Sequence, residues 1–264
     1  MGSWKCPVCG GRLEKSDRRL VCAAGHSYDL ARQGYVNLLP TGGAAGKRHG
    51  DDSAMVRART DFLEKGYYEP IRDALLRAME KYVPAESPVV DAGCGEGYYT
   101  DAVRRAGYDV CGVDISREAV KVCARRGVPC AAASTARLPL ADGSQRAVLC
   151  LFAPLEAGEF RRVLAPGGVL IRAVPLQRHL WGLKKAVYAR PYENPAPEEV
   201  TEGFEALGHE DVKTVLRLTD REDIQNLFRM TPYWYKTSRE DEEKLMGLRE
   251  LETEIEVRME VSRA

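Results

Sequence analysis

Residues 88–100 read PVVDAGCGEGYYT. An apolar run leads into Asp91, and Gly93, Gly95 and Gly97 then recur at every second position ahead of two tyrosines and a threonine. A short apolar run bounded by glycines predicts a buried strand. The glycines let the backbone turn sharply from that strand into a helix and let a ligand come close to the main chain. A dinucleotide fingerprint, G-x-G-x-x-G, would set its third glycine one residue later, which leaves a nicotinamide cofactor as a second choice. The acid before the glycines points the same way, because a carboxylate attracts a cationic ligand and repels a pyrophosphate.

Working outward, apolar strand candidates recur at 109–113, 128–133, 147–152 and 168–174, with helical patterns between them. Such alternation predicts a doubly wound, mainly parallel sheet. The second strand ends in CGVDIS, residues 111–116, and its Asp114 suits the hydroxyls of a ribose; the plainer role for it is a helix N-cap. A carboxylate at each of these two strand ends favours S-adenosylmethionine, with Asp91, Gly93, Gly95, Gly97 and Asp114 around it. Ser134, after the third strand, falls where the adenine edge would lie. His179 follows the fifth strand, at the carboxyl edge where such sheets bind ligands. Upstream, Asp52 and Ser53 open a helical stretch to Tyr82 that is interrupted near Gly66 and closed by Pro84 and Pro88. At the end of the chain, LETEIEVRMEV (251–261) alternates apolar and polar residues, predicting a half-buried antiparallel strand paired with one near 211–218.

The front of the chain carries a different chemistry. Residues 6–26 read CPVCGGRLEKSDRRLVCAAGH. Cys6 and Cys9 are spaced C-x2-C, and Cys22 and His26 are spaced C-x3-H; each pair can wrap one side of a metal ion from a tight turn. Three thiolates and one imidazole close a tetrahedral set with no position for water, which predicts one structural zinc. The segment is too short for its own core, so metal binding would supply its folding energy, about 10–16 kcal/mol on the scale of zinc-finger peptides. The glycine turn is expected in a separate core, so that Cys22→Ser would unfold the front module and leave cofactor binding largely intact. The remaining cysteines, at 94, 111, 123, 130 and 150, lie in apolar surroundings and read as core thiols.

Bulk properties fit one sizeable α/β domain with a small appendage: 264 residues, 44% apolar and 30% charged. No apolar run reaches the length of a membrane span and no signal-peptide pattern opens the chain, so a cytoplasmic protein without a membrane partner is expected. The net formal charge is zero, so a polyanion must be met by a local patch. Residues 161–192 carry seven Arg or Lys and no acid, whereas 239–264 carry nine acids and five bases. Residues 37–50, NLLPTGGAAGKRHG, are rich in glycine and polar residues and place Lys47, Arg48 and His49 on a linker. The expected organisation is a zinc-binding module over 1–40, a linker over 41–58 and a cofactor-binding domain over 59–264.

DAGCGEGYYT, VDIS and EFRRVLAPGGVLIRAVP (159–175) resemble class I S-adenosylmethionine-dependent methyltransferases. CPVCGG, CAAGHSYD, GYVNLLP (34–40), GDDSAMVRAR, GYYEPIRDAL, LFAP (151–154), RHL (178–180) and MTPYWYK (230–236) narrow the likeness. Together they resemble the RlmA family of 23S ribosomal RNA guanine-N1 methyltransferases, over essentially the whole chain. The resemblance implies a Rossmann-like, mainly parallel seven-stranded sheet with an N-terminal zinc module. It also implies a cleft for hairpin 35 of 23S RNA and methylation of N1 of a loop guanine, nucleotide 745 or 748, the second subgroup being linked to macrolide response. Cys6, Cys9, Cys22 and His26 fall on the family's zinc ligands. Tyr68, Gly95, Glu96 and His179 fall on its cofactor contacts. Gln145-Arg146 depart from the acid that many class I enzymes carry before the fourth strand.

Guanine N1 carries a proton and is a poor nucleophile until that proton leaves. The protein must flip the base out, align N1 with the methyl donor and relay the proton. Asp91, Glu96 and His179 are the titratable groups expected near the transfer point, and none of them is singled out as the base. Aromatic residues in YYEP, MTPYWY and WGLKKAVY are expected to stack on the base. Arg18, Arg19, Lys47 and Arg48 on one side, and Arg178, Lys184 and Lys185 on the other, are expected to line opposite walls of one RNA cleft. Two other functions stay open at this level: a methyltransferase acting on a small molecule, and a zinc-ribbon RNA-binding protein with an inactive pocket. Assembly as a homodimer is also left open.

Overall fold

The computed structural model describes residues 4–40, 50–197 and 201–264. Lys47, Arg48 and His49 therefore lie outside the described residues. A hairpin of β1 (Leu13–Ser16) and β2 (Arg19–Cys22), extended by β3 (Ser27–Asp29), forms a three-stranded antiparallel sheet, and β4 (Val36–Asn37) follows it. Next come α1 (Ser53–Glu64), α2 (Glu69–Tyr82), β5 (Pro88–Ala92), α3 (Tyr98–Arg105), β6 (Asp109–Asp114), α4 (Arg117–Arg125) and β7 (Cys130–Ala132). The chain continues through β8 (Gln145–Leu151), α5 (Ala157–Val163), β9 (Leu164–Pro175), α6 (Trp181–Val187), β10 (Glu205–Leu218), α7 (Arg221–Arg229), α8 (Arg239–Met246) and β11 (Leu251–Arg263). Helix α1 thus takes in residues 53–58 of the segment expected as linker.

The large sheet runs β10-β11-β9-β8-β5-β6-β7-β4. The pairs from β9 to β4 are parallel, and β11 lies antiparallel between β9 and β10. Among the described residues it has eight strands rather than the expected seven. The extra strand is β4, which comes from the N-terminal segment and pairs with β7 through Val36 opposite Ala131 and Asn37 opposite Ala132. Period-2 geometry sends neighbouring residues to opposite layers. Val89, Ala147 and Leu149 join the layer of α1 and α2, with Phe62, Ile71, Leu75 and Met79. Val90, Val148 and Leu170 join the other layer, with Phe160. Each large side chain buried in this way contributes about 1.5–3 kcal/mol.

That second layer also contains Trp4, Cys6, Leu13, Cys22, Val36 and Leu38, packed with Val90, Ala92 and Val113 in one apolar cluster. Lys5 N–H donates to Pro139 O at 2.8 Å, and Leu38 N–H donates to Ala132 O at 2.9 Å. The expectation of a core for the glycine turn separate from the N-terminal segment therefore fails. With so few residues of its own, the segment buries its apolar side chains against the sheet.

Local signals explain the helix starts. The Asp52 carboxylate accepts from the N–H groups of Ala54 and Met55, both at 2.9 Å, and the Ser116 hydroxyl accepts from Ala119 N–H. Gly66 adopts φ +82° and separates α1 from α2, as the interruption in the pattern predicts.

Candidate active site and metal centre

The chain steps from β5 to β6 and β7 on one side and returns to β8 on the other, so the order reverses at β5 and β8. Ligands of open α/β sheets bind at the carboxyl ends of the strands at such a switch point. Two turns meet there. The first is Gly93–Gly97, with φ of +93°, +54° and +86° at the three glycines. The second is Phe152–Pro154, following β8. A Cβ placed on Gly93 would lie 2.5 Å from Ala153 Cβ, so only glycine lets the two turns pack this closely.

Asp91 is the penultimate residue of β5, at 1% exposure. Its Oδ2 accepts from Thr100 Oγ1 at 2.6 Å, whereas Oδ1 is buried without a hydrogen-bond partner among the described residues. Burial pushes its carboxyl up to about 7. Asp114 ends β6 and binds the glycine turn directly: Gly95 N–H donates to Oδ2 at 2.9 Å, and Ser116 N–H donates to Oδ1 at 2.7 Å. Each oxygen keeps a further lone pair. Ser116, not Asp114, caps α4. Glu96 is buried, its carboxyl is raised mainly by desolvation, and its Oε1 accepts from Tyr98 N–H at 3.2 Å. Ser134 caps a short 3-10 turn, accepting from Ala136 N–H at 3.3 Å. Arg59 of α1, which sequence reasoning missed, pairs with Asp51 and donates to Met230 O at 3.2 Å. Its guanidinium reaches the space beside Gly95. Burial opposes its charge, but Asp51 and Glu96 hold it protonated.

On the other side of the switch point, Tyr68, Tyr99, Phe152 and His179 gather their rings. Phe152 lies 6.2 Å from His179, 6.5 Å from Tyr68 and 6.5 Å from Tyr99, centre to centre, while Tyr68 lies 6.4 Å from His179. Tyr68 and His179 are buried at 5% and 6% exposure. Glu256 N–H donates to His179 Nδ1 at 3.3 Å, which requires the ring hydrogen on Nε2. Desolvation, followed by the nearby Lys184 charge, lowers the imidazole to about 3, so it is neutral. In this tautomer His179 offers a donor and cannot take the guanine proton. Tyr99 and Phe152 were not singled out from the sequence. Their signals were YYT in the glycine stretch and the LFAP run, each part of a quoted motif without a stated chemistry.

The front cluster has metal geometry. The ligand atoms of Cys6, Cys9, Cys22 and His26 lie within 4.8 Å of one another. His26 Nδ1 is 3.6 Å from Cys6 Sγ and 3.4 Å from Cys22 Sγ, and Cys9 Sγ is 3.6 Å from Cys22 Sγ. Zinc bonds of about 2.3 Å to sulfur and 2.0–2.1 Å to nitrogen imply roughly these separations at tetrahedral angles. The turns at Gly10 and Gly25, with φ of +71° and +85°, bring each pair together. Tyr28 OH lies 3.3 Å from Cys6 Sγ and supports that ligand from behind.

Comparison with known proteins joins the two sites. Residues 4–44 match the family model described as RlmA, N-terminal, and residues 89–168 match the one described as Methyltransferase domain. The chain is 38% identical over 242 residues to the 23S rRNA (guanine(748)-N(1))-methyltransferase of Streptomyces fradiae, covering 86% of this chain and 84% of that one. The chain belongs to the RlmA-type 23S rRNA (guanine-N1)-methyltransferase family. A Micromonospora griseorubida protein assigned provisionally to the same activity is 37% identical over 262 residues, covering 88% of this chain and 87% of its own. Among solved structures, the YcgJ protein of Bacillus subtilis superposes with a TM-score of 0.47 at 15% identity, over 72% of this chain and 97% of that one. The mostly parallel sheet with its glycine turn has the class I methyltransferase architecture, and S-adenosylmethionine is the cofactor of that fold. The residues fit it: the orphaned Asp91 Oδ1 awaits a cationic or hydrogen-bonding partner, and the glycine turn leaves the backbone approachable.

For this family member the expected RNA cleft needs correction. Lys184 is fully buried; its ammonium donates to Tyr192 O at 3.0 Å and to Asn194 Oδ1 at 2.7 Å, so it cannot meet a phosphate. Arg162, Arg172 and Arg178 of the basic stretch face Glu159, Glu260 and Glu254. Lys185 is exposed, as are Arg18 and Arg19 on the zinc module. Gln145 and Arg146 begin β8 at the amino edge of the sheet, away from the switch point, so their departure from the common acid leaves the pocket untouched.

Proposed function

We propose that this chain transfers a methyl group from S-adenosylmethionine to N1 of a guanine in 23S ribosomal RNA. The observation that carries the reading is the 38% identity to a guanine-748 enzyme along most of both chains, with the zinc cluster and the glycine turn both present. Guanine 748, in the loop of hairpin 35, is the favoured target over guanine 745 on that likeness. The cofactor, when bound, supplies an electrophilic methyl group on a sulfonium. Asp91, Gly93, Gly95, Glu96, Gly97 and Asp114 hold it, with Tyr68 and His179 closing the far side and Ser134 beside the adenine. His179 Nε2–H is available to a carbonyl or carboxylate oxygen. Arg18 and Arg19 grip phosphates from the zinc module, which Cys6, Cys9, Cys22 and His26 hold around one zinc ion. An RNA substrate of this kind puts the work of the protein in the cytoplasm.

Transfer of labelled methyl to 23S RNA transcripts, with the modified nucleoside mapped, tests this. One N1-methylguanosine in the hairpin 35 loop is expected. Methylation of a small metabolite with none of RNA would overturn the reading, and intact RNA binding without transfer would point to a binding protein. Light scattering of the same preparation separates monomer from homodimer.

A further inference from the structure

Phe152 combines three properties that a packing residue lacks. Its φ is +57°, in the left-handed region that a bulky side chain rarely adopts. It is 41% exposed, although β8 immediately before it is almost wholly buried. It is also fixed: Phe152 N–H donates to Ala173 O at 3.2 Å, Cys150 Sγ lies 3.4 Å from Ala153 O and 3.5 Å from Pro154 O, and Ala153 is wedged on Gly93. The surroundings thus hold a strained backbone in order to present an apolar ring at the switch point, a pattern associated with binding sites. Around the ring stand Tyr68, Tyr99 and His179, and the Tyr99 hydroxyl oxygen is buried without a hydrogen-bond partner among the described residues.

We propose that Phe152 is the platform on which the target guanine stacks once it is flipped from the RNA, with the Tyr99 hydroxyl free to bond the edge of the base. This rests on the RNA-methyltransferase reading above and assigns the substrate side of the same pocket. On the β5–β6 side of the switch point Asp91, Glu96 and Asp114 outnumber the Arg59 guanidinium, which Asp51 also pairs, so that side suits a cation. The β8–β9 side offers rings and the neutral His179 donor, which suit a flat, uncharged purine. Stacking is indifferent to backbone phosphates, so loss of the ring should leave RNA capture intact and slow the step that needs N1 in line.

The experiment compares wild type with Phe152→Gly, which accepts the positive φ, and with Phe152→Leu and Phe152→Trp. The probe is a transcript of the hairpin carrying the target guanine. The Gly variant should bind S-adenosylmethionine and the transcript within about threefold of wild type, while single-turnover methylation at saturating RNA falls roughly 10- to 100-fold. Leu should be as slow as Gly, and Trp should stay within about fivefold of wild type. The indole emission that Phe152→Trp adds, measured as the difference from wild type, should be quenched by the transcript and not by one abasic at the target position. A Leu variant at the wild-type rate, or equal quenching by the abasic transcript, overturns the assignment. If the Gly variant does not fold, the contrast between Leu and Trp decides. Wild-type protein that transfers no methyl to the transcript overturns the functional reading and this assignment with it, whereas an active wild type with an equally active Leu variant overturns the assignment alone.

Discussion

Asp91 shows how one residue can couple ligand binding to pH. Its Oδ2 is satisfied by Thr100, its Oδ1 has no partner among the described residues, and burial pushes the carboxyl up to about 7. Near neutrality the free protein therefore carries a proton there for part of the time. A cationic ligand prefers the carboxylate, so binding lowers that pKa and releases the proton. The sign follows: affinity for S-adenosylmethionine should rise with pH from about 6 to 8 and level off above, and calorimetry in buffers of different ionisation enthalpy should report proton release. Asp91→Asn should bind more weakly with a flat profile. A wild-type affinity independent of pH over that range would show that Asp91 is not charged against the ligand.

Between elements, the packing of the glycine turn against the turn after β8 sets the width of the pocket. A methyl group at position 93 would lie 2.5 Å from Ala153 Cβ and would sit on a backbone with φ +93°. Gly93→Ala therefore suffers two penalties, overpacking and backbone strain, together about 3 kcal/mol or more. Ala153→Gly in the same chain should remove the overpacking and recover about 1–3 kcal/mol, leaving the strain. Thermal melting of the two single variants and the double variant checks this by the cycle, and strict additivity would show that the turns do not press on each other. The adjacency itself was not legible in the sequence. GCGEG and LFAP lie more than fifty residues apart, and their meeting depends on β8 pairing beside β5.

For the whole molecule, the zinc segment is a part of the fold and not a pendant. Its strand β4 extends the large sheet, and Trp4, Cys6, Cys22 and Leu38 pack in the cluster that includes Val90, Ala92 and Val113, beside the cofactor turn. Removing zinc by chelation, or by Cys22→Ser, should therefore lower the melting temperature of the entire protein, by roughly 10 °C if about 3–5 kcal/mol is lost. It should also weaken cofactor binding. This reverses the expectation from the sequence, which placed the glycine turn in a core apart from the zinc module and left cofactor affinity largely intact in the Cys22 variant. Zinc-free protein with unchanged cofactor affinity would restore the two-core picture.

What the residues alone determined was local and periodic. The glycine turn, the acids at the ends of β5 and β6, the alternation along β11 and the paired Cys and His spacings each follow from backbone geometry or ligand chemistry within a few residues, and each lies where its pattern says. Tertiary structure alone decided what meets across long separations. It gave the eighth strand to the N-terminal segment and buried Lys184 as a donor to the 192–194 loop. It neutralised three arginines of a basic run with acids outside that run, and it brought Phe152 to face His179 and Tyr99. The physical reason is that periodicity specifies which face of an element is apolar, whereas a partner for a charge or a ring is chosen only when strands pair and layers close.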